Sequence, residues 1–152
     1  MAKIKDEEKL LLKICDVVHS KKDPLVATVK LLKASVPHYN WVGIYLIEGD
    51  RLVLHNYLGK PTQHSNIAVG DGICGAAAAE MKTIIVPDVM RDPRYIACSI
   101  ETKSEIVVPI LTSSGRRVLG EIDIDSDTPD AFDEEDKQFL EKVAAALARS
   151  FG

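Results

Sequence analysis

A chain of 152 residues can fold as one domain with its own core, and a net charge of −4 with no long Lys/Arg run gives no nucleic-acid footprint. Hydrophobic residues make up 46% and charged residues 28%, a globular balance, while 5% aromatics argue against a base-stacking surface. No uncharged apolar stretch approaches the ~20 residues that span a bilayer, and the charged segment from Met1 to Lys9 has no signal-peptide core, so a cytoplasmic protein without membrane contact is expected.

The spacing of Leu11, Ile14, Cys15 and Val18 predicts a helix over about 5–20. Asp23-Pro24 stops it and starts a second helix, whose buried stripe is Leu25, Val29 and Leu32 and which ends near Ser35. The period then falls to two. Trp41, Gly43, Tyr45 and Ile47 alternate with Val42, Ile44 and Leu46, a strand apolar on both faces and therefore central. The turn at Glu48-Gly49-Asp50 leads to a strand over Leu52–Tyr57, and His64 to Val69 reads as another. The run from Gly70 to Gly75 opens a short Ala-rich helix ending near Met81, and Thr83 to Val86 is extended. Asp88 to Glu105 reads as a loop or broken helix. Strands over Ile106–Leu111 and Arg117–Asp125 are joined by a hairpin turn at Ser113-Ser114-Gly115. Asp133 caps a final helix with Phe139, Leu140, Val143 and Leu147 inside.

No repeat or linker interrupts residues 1–152, which read as a single domain of the α+β class. The expected form is an antiparallel sheet with the N- and C-terminal helices on one face. A loop and helix segment, from about 60 to 105, covers a pocket on the other.

Three cysteines are too few for a disulfide scaffold, and with no C-x-x-C they point to catalysis or packing. Cys98 lies in the irregular segment near Arg91, Arg94 and Lys103, where cations lower a thiol's pKa; an inert buried thiol is the competing reading. Cys74 sits at a helix N-terminus, where the macrodipole favours thiolate. Cys15 fits a packed helix face. In Glu121-Ile-Asp123-Ile-Asp125 the alternation places three carboxylates on one strand face, and Glu105 opens the neighbouring strand. A solvated face or a hard-cation site for calcium or magnesium would account for these acids. Enclosed beneath a lid, they would instead have raised pKa values and donate protons. Trp41 and Tyr45 share a face and either pack a core or wall a small pocket.

From Asn40 to the final helix the chain resembles the free methionine-(R)-sulfoxide reductases, a family of GAF-domain fold. The matching stretches are Asn40–Tyr45, Val69–Gly75, Ile96-Ala97-Cys98, Ser104–Pro109 and Gly120–Ser126. The resemblance implies an oxidoreductase in which Cys98 attacks the sulfoxide sulfur and becomes a sulfenic acid, condensed to a disulfide by a second thiol. It implies Trp41 and Tyr45 as aromatic walls around the substrate methyl group. Glu105, Asp123 and Asp125 match the acids that bind the amino group and sulfoxide oxygen, with Glu105 also catalytic. Family members commonly carry a cysteine where this chain has His64. Cys74 is then the expected resolving thiol, with an external thiol as the alternative. No bound cofactor or metal is expected, and thioredoxin supplied by NADPH is the expected electron source. Homodimer formation is compatible with this reading. The rival readings are a non-catalytic GAF sensor of a small molecule, disfavoured because residue 152 leaves no room for an output domain, and a helix-paired dimerisation module.

Overall fold

A computed structural model describes residue 4 and residues 6–20, 22–95 and 101–151; Cys98 lies outside the described residues. Helix α1 (Glu7–Ser20) buries Leu10, Ile14 and Val18, a stripe of period four. Leu11 is only partly buried and Cys15 sits at the edge of the stripe. In α2 (Pro24–Ser35), the Asp23 carboxylate accepts from the Val26 amide and proline occupies the first turn, where no amide partner is needed.

Six strands form one antiparallel sheet: β1 (Trp41–Glu48), β2 (Arg51–Leu58), β3 (Asn66–Ala68), β4 (Ile84–Val86), β5 (Ser104–Leu111) and β6 (Val118–Ser126). Their spatial order is β3-β2-β1-β6-β5-β4, which makes β1 and β6 central. This is the reason both faces of β1 are apolar. Helix α3 (Gly72–Glu80) lies between β3 and β4 in the chain, and α4 (Glu134–Ala148) follows β6. A capping box starts α4: Asp133 accepts from the Glu135 and Asp136 amides, and Asp136 accepts from the Asp133 amide.

Alternation along the central strands sorts two cores. Val42, Ile44, Ile106, Val108, Ile110, Ile122 and Ile124 point to the side covered by α1, α2 and α4. Trp41, Tyr45 and Val107 point the other way, toward Ile73, Cys74 and Ala77 of α3 and Val86 and Val89 beyond it. The expected architecture is therefore the observed one, with helices at both chain ends on one face and the middle segment on the other. Strand β5 starts at Ser104, earlier than its apolar run suggests, which places Glu105 in the ladder. Among the described residues no helix is long and apolar enough to cross a membrane.

Candidate active site

The register of the central strands builds the site. On β6, Asp125 stands opposite Trp41, Asp123 opposite Gly43 and Glu121 opposite Tyr45 of β1. On the other side Asp125 stands opposite Glu105 and Asp123 opposite Val107 of β5. A period of two thus delivers four carboxyl groups and two aromatic rings to one face. All four acids are buried, with Glu121 at 0%, Asp123 at 3%, Asp125 at 4% and Glu105 at 5% exposure.

Gly43 makes the aromatic wall fit. A Cβ there would meet Cζ3 of the Trp41 ring at 2.6 Å, so the indole lies flat over the strand only because no side chain intervenes. The indole stacks on Tyr57 with centroids 5.3 Å apart and donates from Nε1 to the Lys60 carbonyl at 3.0 Å. The Tyr45 hydroxyl donates to the His64 carbonyl at 2.7 Å. Both rings are therefore held in place before any ligand arrives.

Cys74 reaches the acids from above. Gly70 and Gly72 adopt φ of 101° and 64°, which turns the chain sharply into α3. Gly75 then packs so closely that a Cβ would meet the Ala68 carbonyl at 2.6 Å. This presses the first turn of α3 onto the sheet, where the Cys74 thiol donates to Asp123 Oδ2 at 3.3 Å. The helix-dipole expectation for Cys74 is reversed. Burial first, then the charges of Asp123, Glu121 and Glu105, push its thiol well above the ordinary range. A dipole effect confined to a helix end is smaller than full desolvation beside carboxylates.

Burial also pushes every acid of the cluster up. Glu105 is raised well above its usual value by burial and by the charges of Asp123 and Asp125, with which it shares hydrogen bonds. Asp125 is raised by burial and by Asp123. Glu121 is raised by burial and by Asp123, against the lowering effect of the Cys74 thiol. Asp123 is raised by burial, against the lowering effect of its bonds to Glu105 and Cys74 and of the His64 charge. Hydrogen bonds between carboxyl groups need protons between them, so the trio does not ionise completely. The cluster still has unmet bonding capacity: Asp123 Oδ1, Asp125 Oδ1 and both Glu121 oxygens have no hydrogen-bond partner. The single thiol proton of Cys74 is committed to Asp123.

Two small cavities open onto this face. One of about 20 Å³ is lined by Tyr45, His64, Ile73, Cys74, Glu105 and Asp123 among others. The other, of about 40 Å³, lies between Trp41, Asn40, Lys60, Thr102 and Asp125. A much larger groove of about 1020 Å³ runs past Pro109, Leu119 and Ala144, away from the acids. Of the cations expected beside Cys98, Arg94 pairs with Asp92 at 2.7 Å and Arg91 with Asp88 at 3.4 Å. Glu121 was legible as one of the four acids of the enclosed face, though the resemblance gave it no role; its place near Cys74 depends on how α3 packs.

Residues 25–151 match the GAF domain family. The chain is 37% identical over 125 residues to free methionine-R-sulfoxide reductase of Escherichia coli, covering 82% of this chain and 74% of that protein. It is 46% identical over 114 residues to the Saccharomyces cerevisiae protein of the same name, covering 73% of this chain and 62% of that one. The structure is similar to that of Neisseria meningitidis free methionine-R-sulfoxide reductase in complex with its substrate, at TM-score 0.90 and 37% identity, covering 99% of this chain and 91% of that one. With these likenesses spread over the strands and helix that build the acidic face, the chain belongs to the free methionine-(R)-sulfoxide reductase family of GAF domains.

Proposed function

We propose that this chain reduces free methionine-(R)-sulfoxide to methionine on the acidic face of its sheet. The observation that carries the reading is the buried group of Glu105, Glu121, Asp123 and Asp125 with unmet oxygens beside two fixed aromatic rings. Such a group costs stability unless a ligand completes its bonds. A free amino acid supplies an ammonium group, which the acids attract. A peptide bond at that nitrogen would remove the charge, and this gives the preference for the free substrate.

The sulfoxide oxygen is a poor leaving group until protonated. Glu105, tied by hydrogen bonds to both aspartates, holds a proton at the cluster and donates it. Asp123 and Asp125 hold the ammonium end, and Trp41 and Tyr45 enclose the methyl group. The Cys98 sulfur attacks the substrate sulfur, which is reduced by two electrons to the thioether, and Cys98 is oxidised to the sulfenic acid. The Cys74 thiol then condenses with it, releasing water and leaving a disulfide. A dithiol of the thioredoxin class returns two electrons by exchange. The place of Cys74 against Asp123 within the acidic cluster supports this role, while burial and the neighbouring acids keep its thiol protonated at rest, so its proton must leave before sulfur can attack. The substrate is larger than either small cavity, so its admission requires the surrounding side chains to move apart.

The test is NADPH oxidation coupled through thioredoxin and its reductase, with free R, free S and peptide-bound sulfoxides compared. Turnover of the free R form alone, lost in Cys98→Ser, is expected. Activity with dithiothreitol but not thioredoxin would remove thioredoxin from the scheme. Silence with both reductants, with ligand binding kept in Cys98→Ser, would favour the sensor reading.

A further inference from the structure

The cavity beneath α3 holds an unusual mixture of donors. Among the described residues, Cys74, Glu105 and Asp123 are the group whose Cys, carboxylate or His donor atoms gather closely, all within 4.8 Å of one another and all buried. They come from three separate elements, α3, β5 and β6, so no sequence motif announces them. His64 lines the same cavity, outside that close group. The cavity volume of about 20 Å³ suits a single ion or water.

From these positions we propose that Cys74, Asp123 and Glu105 form a binding site for a divalent cation of the zinc class. Zinc takes sulfur at about 2.3 Å and oxygen at about 2.0–2.2 Å, so tetrahedral donors stand roughly 3.3–3.7 Å apart. The Cys74 Sγ to Asp123 Oδ2 separation of 3.3 Å, now bridged by the thiol proton, is a few tenths of an ångström short of the sulfur–oxygen spacing of about 3.5–3.7 Å. Asp123 Oδ1, fully buried and without a hydrogen-bond partner, is an independent sign of a missing ligand. Both Glu121 oxygens, on the same face of the sheet, are buried and equally unpartnered. Asp125 bonds to Glu105 and orients it, the arrangement that commonly supports a metal-ligating carboxylate. The thiol decides the metal class. Calcium and magnesium take oxygen donors, whereas one sulfur beside two carboxylates suits zinc or cobalt. On binding, Cys74 loses its proton to solvent and the metal replaces it on sulfur.

One consequence rests on the reductase reading: a cation held by Asp123 and Glu105 excludes the substrate ammonium, so zinc inhibits turnover.

Cobalt makes the site visible without any assay of activity. In Cys15→Ser/Cys98→Ser full-length protein, Cys74 is the remaining thiol of the three in the chain. Titration with Co²⁺ is expected to give a near-ultraviolet sulfur-to-cobalt band and visible bands of tetrahedral strength. Adding Cys74→Ser should abolish the first, Asp123→Asn should weaken both, and one equivalent of Zn²⁺ should bleach them while Ca²⁺ does not. No sulfur band in protein with a native circular dichroism spectrum overturns the proposal. So does a band indifferent to Asp123→Asn, or one bleached equally by Ca²⁺. Calorimetric titration of Zn²⁺ into the wild-type chain and Cys74→Ser repeats the test without the background changes. Turnover of wild-type protein in chelator is measured separately: activity with silent cobalt spectra sinks the metal site alone, and cobalt binding without activity sinks the reductase reading alone.

Discussion

Among the described residues two carboxylates have no exposure to water, Asp136 in the first turn of α4 and Glu121 in the middle of β6, and their surroundings differ sharply. Asp136 accepts from the Tyr39 hydroxyl at 2.8 Å, pairs with His38 Nε2 at 2.9 Å and accepts from the Asp133 amide at 3.1 Å. Neither oxygen of Glu121 has a hydrogen-bond partner. The pair of sites lies on opposite faces of the same sheet. On the helix-covered side a buried charge is fully provided for, and it ties α4 to the chain entering β1. On the pocket side the provision is left incomplete. Burial alone therefore does not mark a functional acid; unmet hydrogen bonds do.

The largest expected effect breaks the satisfied side. Asp136→Ala strands the His38 ring and the Tyr39 hydroxyl and removes half of the capping box, at a cost of about 3 kcal/mol. Urea unfolding should show the fall in midpoint, with KM for the sulfoxide unchanged in the protein that remains folded. An undiminished midpoint would mean that the three bonds contribute no net stability and that the contrast between the two acids is false.

A smaller effect of opposite sign is expected on the other side. Glu121→Met keeps length and removes a buried group with no partner, so stability should rise by about 1–2 kcal/mol while turnover falls. The same urea series, run beside the coupled assay, reads both. Loss of stability on this substitution would show that Glu121 is held by its surroundings in the resting protein, as Asp136 is.

The sequence exposed one of these sites and hid the other, for a physical reason. Glu121, Asp123 and Asp125 alternate within a single strand, so their common face follows from local geometry alone. Glu105 was recoverable as well, because it stands directly before the apolar run of the strand that pairs with them. Asp136 binds partners 97 and 98 positions away, and nothing in a helix-start signal foretells that it closes a contact with Tyr39 and His38. The environment of Cys74 was misread for a related reason. Its helix position is local and legible, whereas the acid it faces is 49 residues distant and arrives through packing. The antiparallel sheet and terminal helices were readable from periodicity. The two-residue extension of β5 was not, since Ser104 and Glu105 are polar and only their pairing with Ser126 and Asp125 makes them strand.

The smallest effect, and the finest test of the contrast, is the dependence of stability on acid. Burial raises the Asp136 pKa, but the bonds from His38, the Asp133 amide and Tyr39 outweigh it and hold the carboxyl below its ordinary value of 3.8. A carboxyl depressed in the folded state contributes stability that is present above its unfolded pKa and is lost as pH falls through the folded one. The contribution should therefore be constant from neutrality down to roughly pH 5 and should decline below about pH 4. Asp136→Asn deletes the titration while keeping the side chain's size, so the variant should lose less stability than wild type over that interval. Urea midpoints at closely spaced pH values measure the difference between the two curves. Parallel curves would mean that the carboxylate is no better accommodated than it is in the unfolded chain. The hydrogen bonds around it would then balance its desolvation without exceeding it.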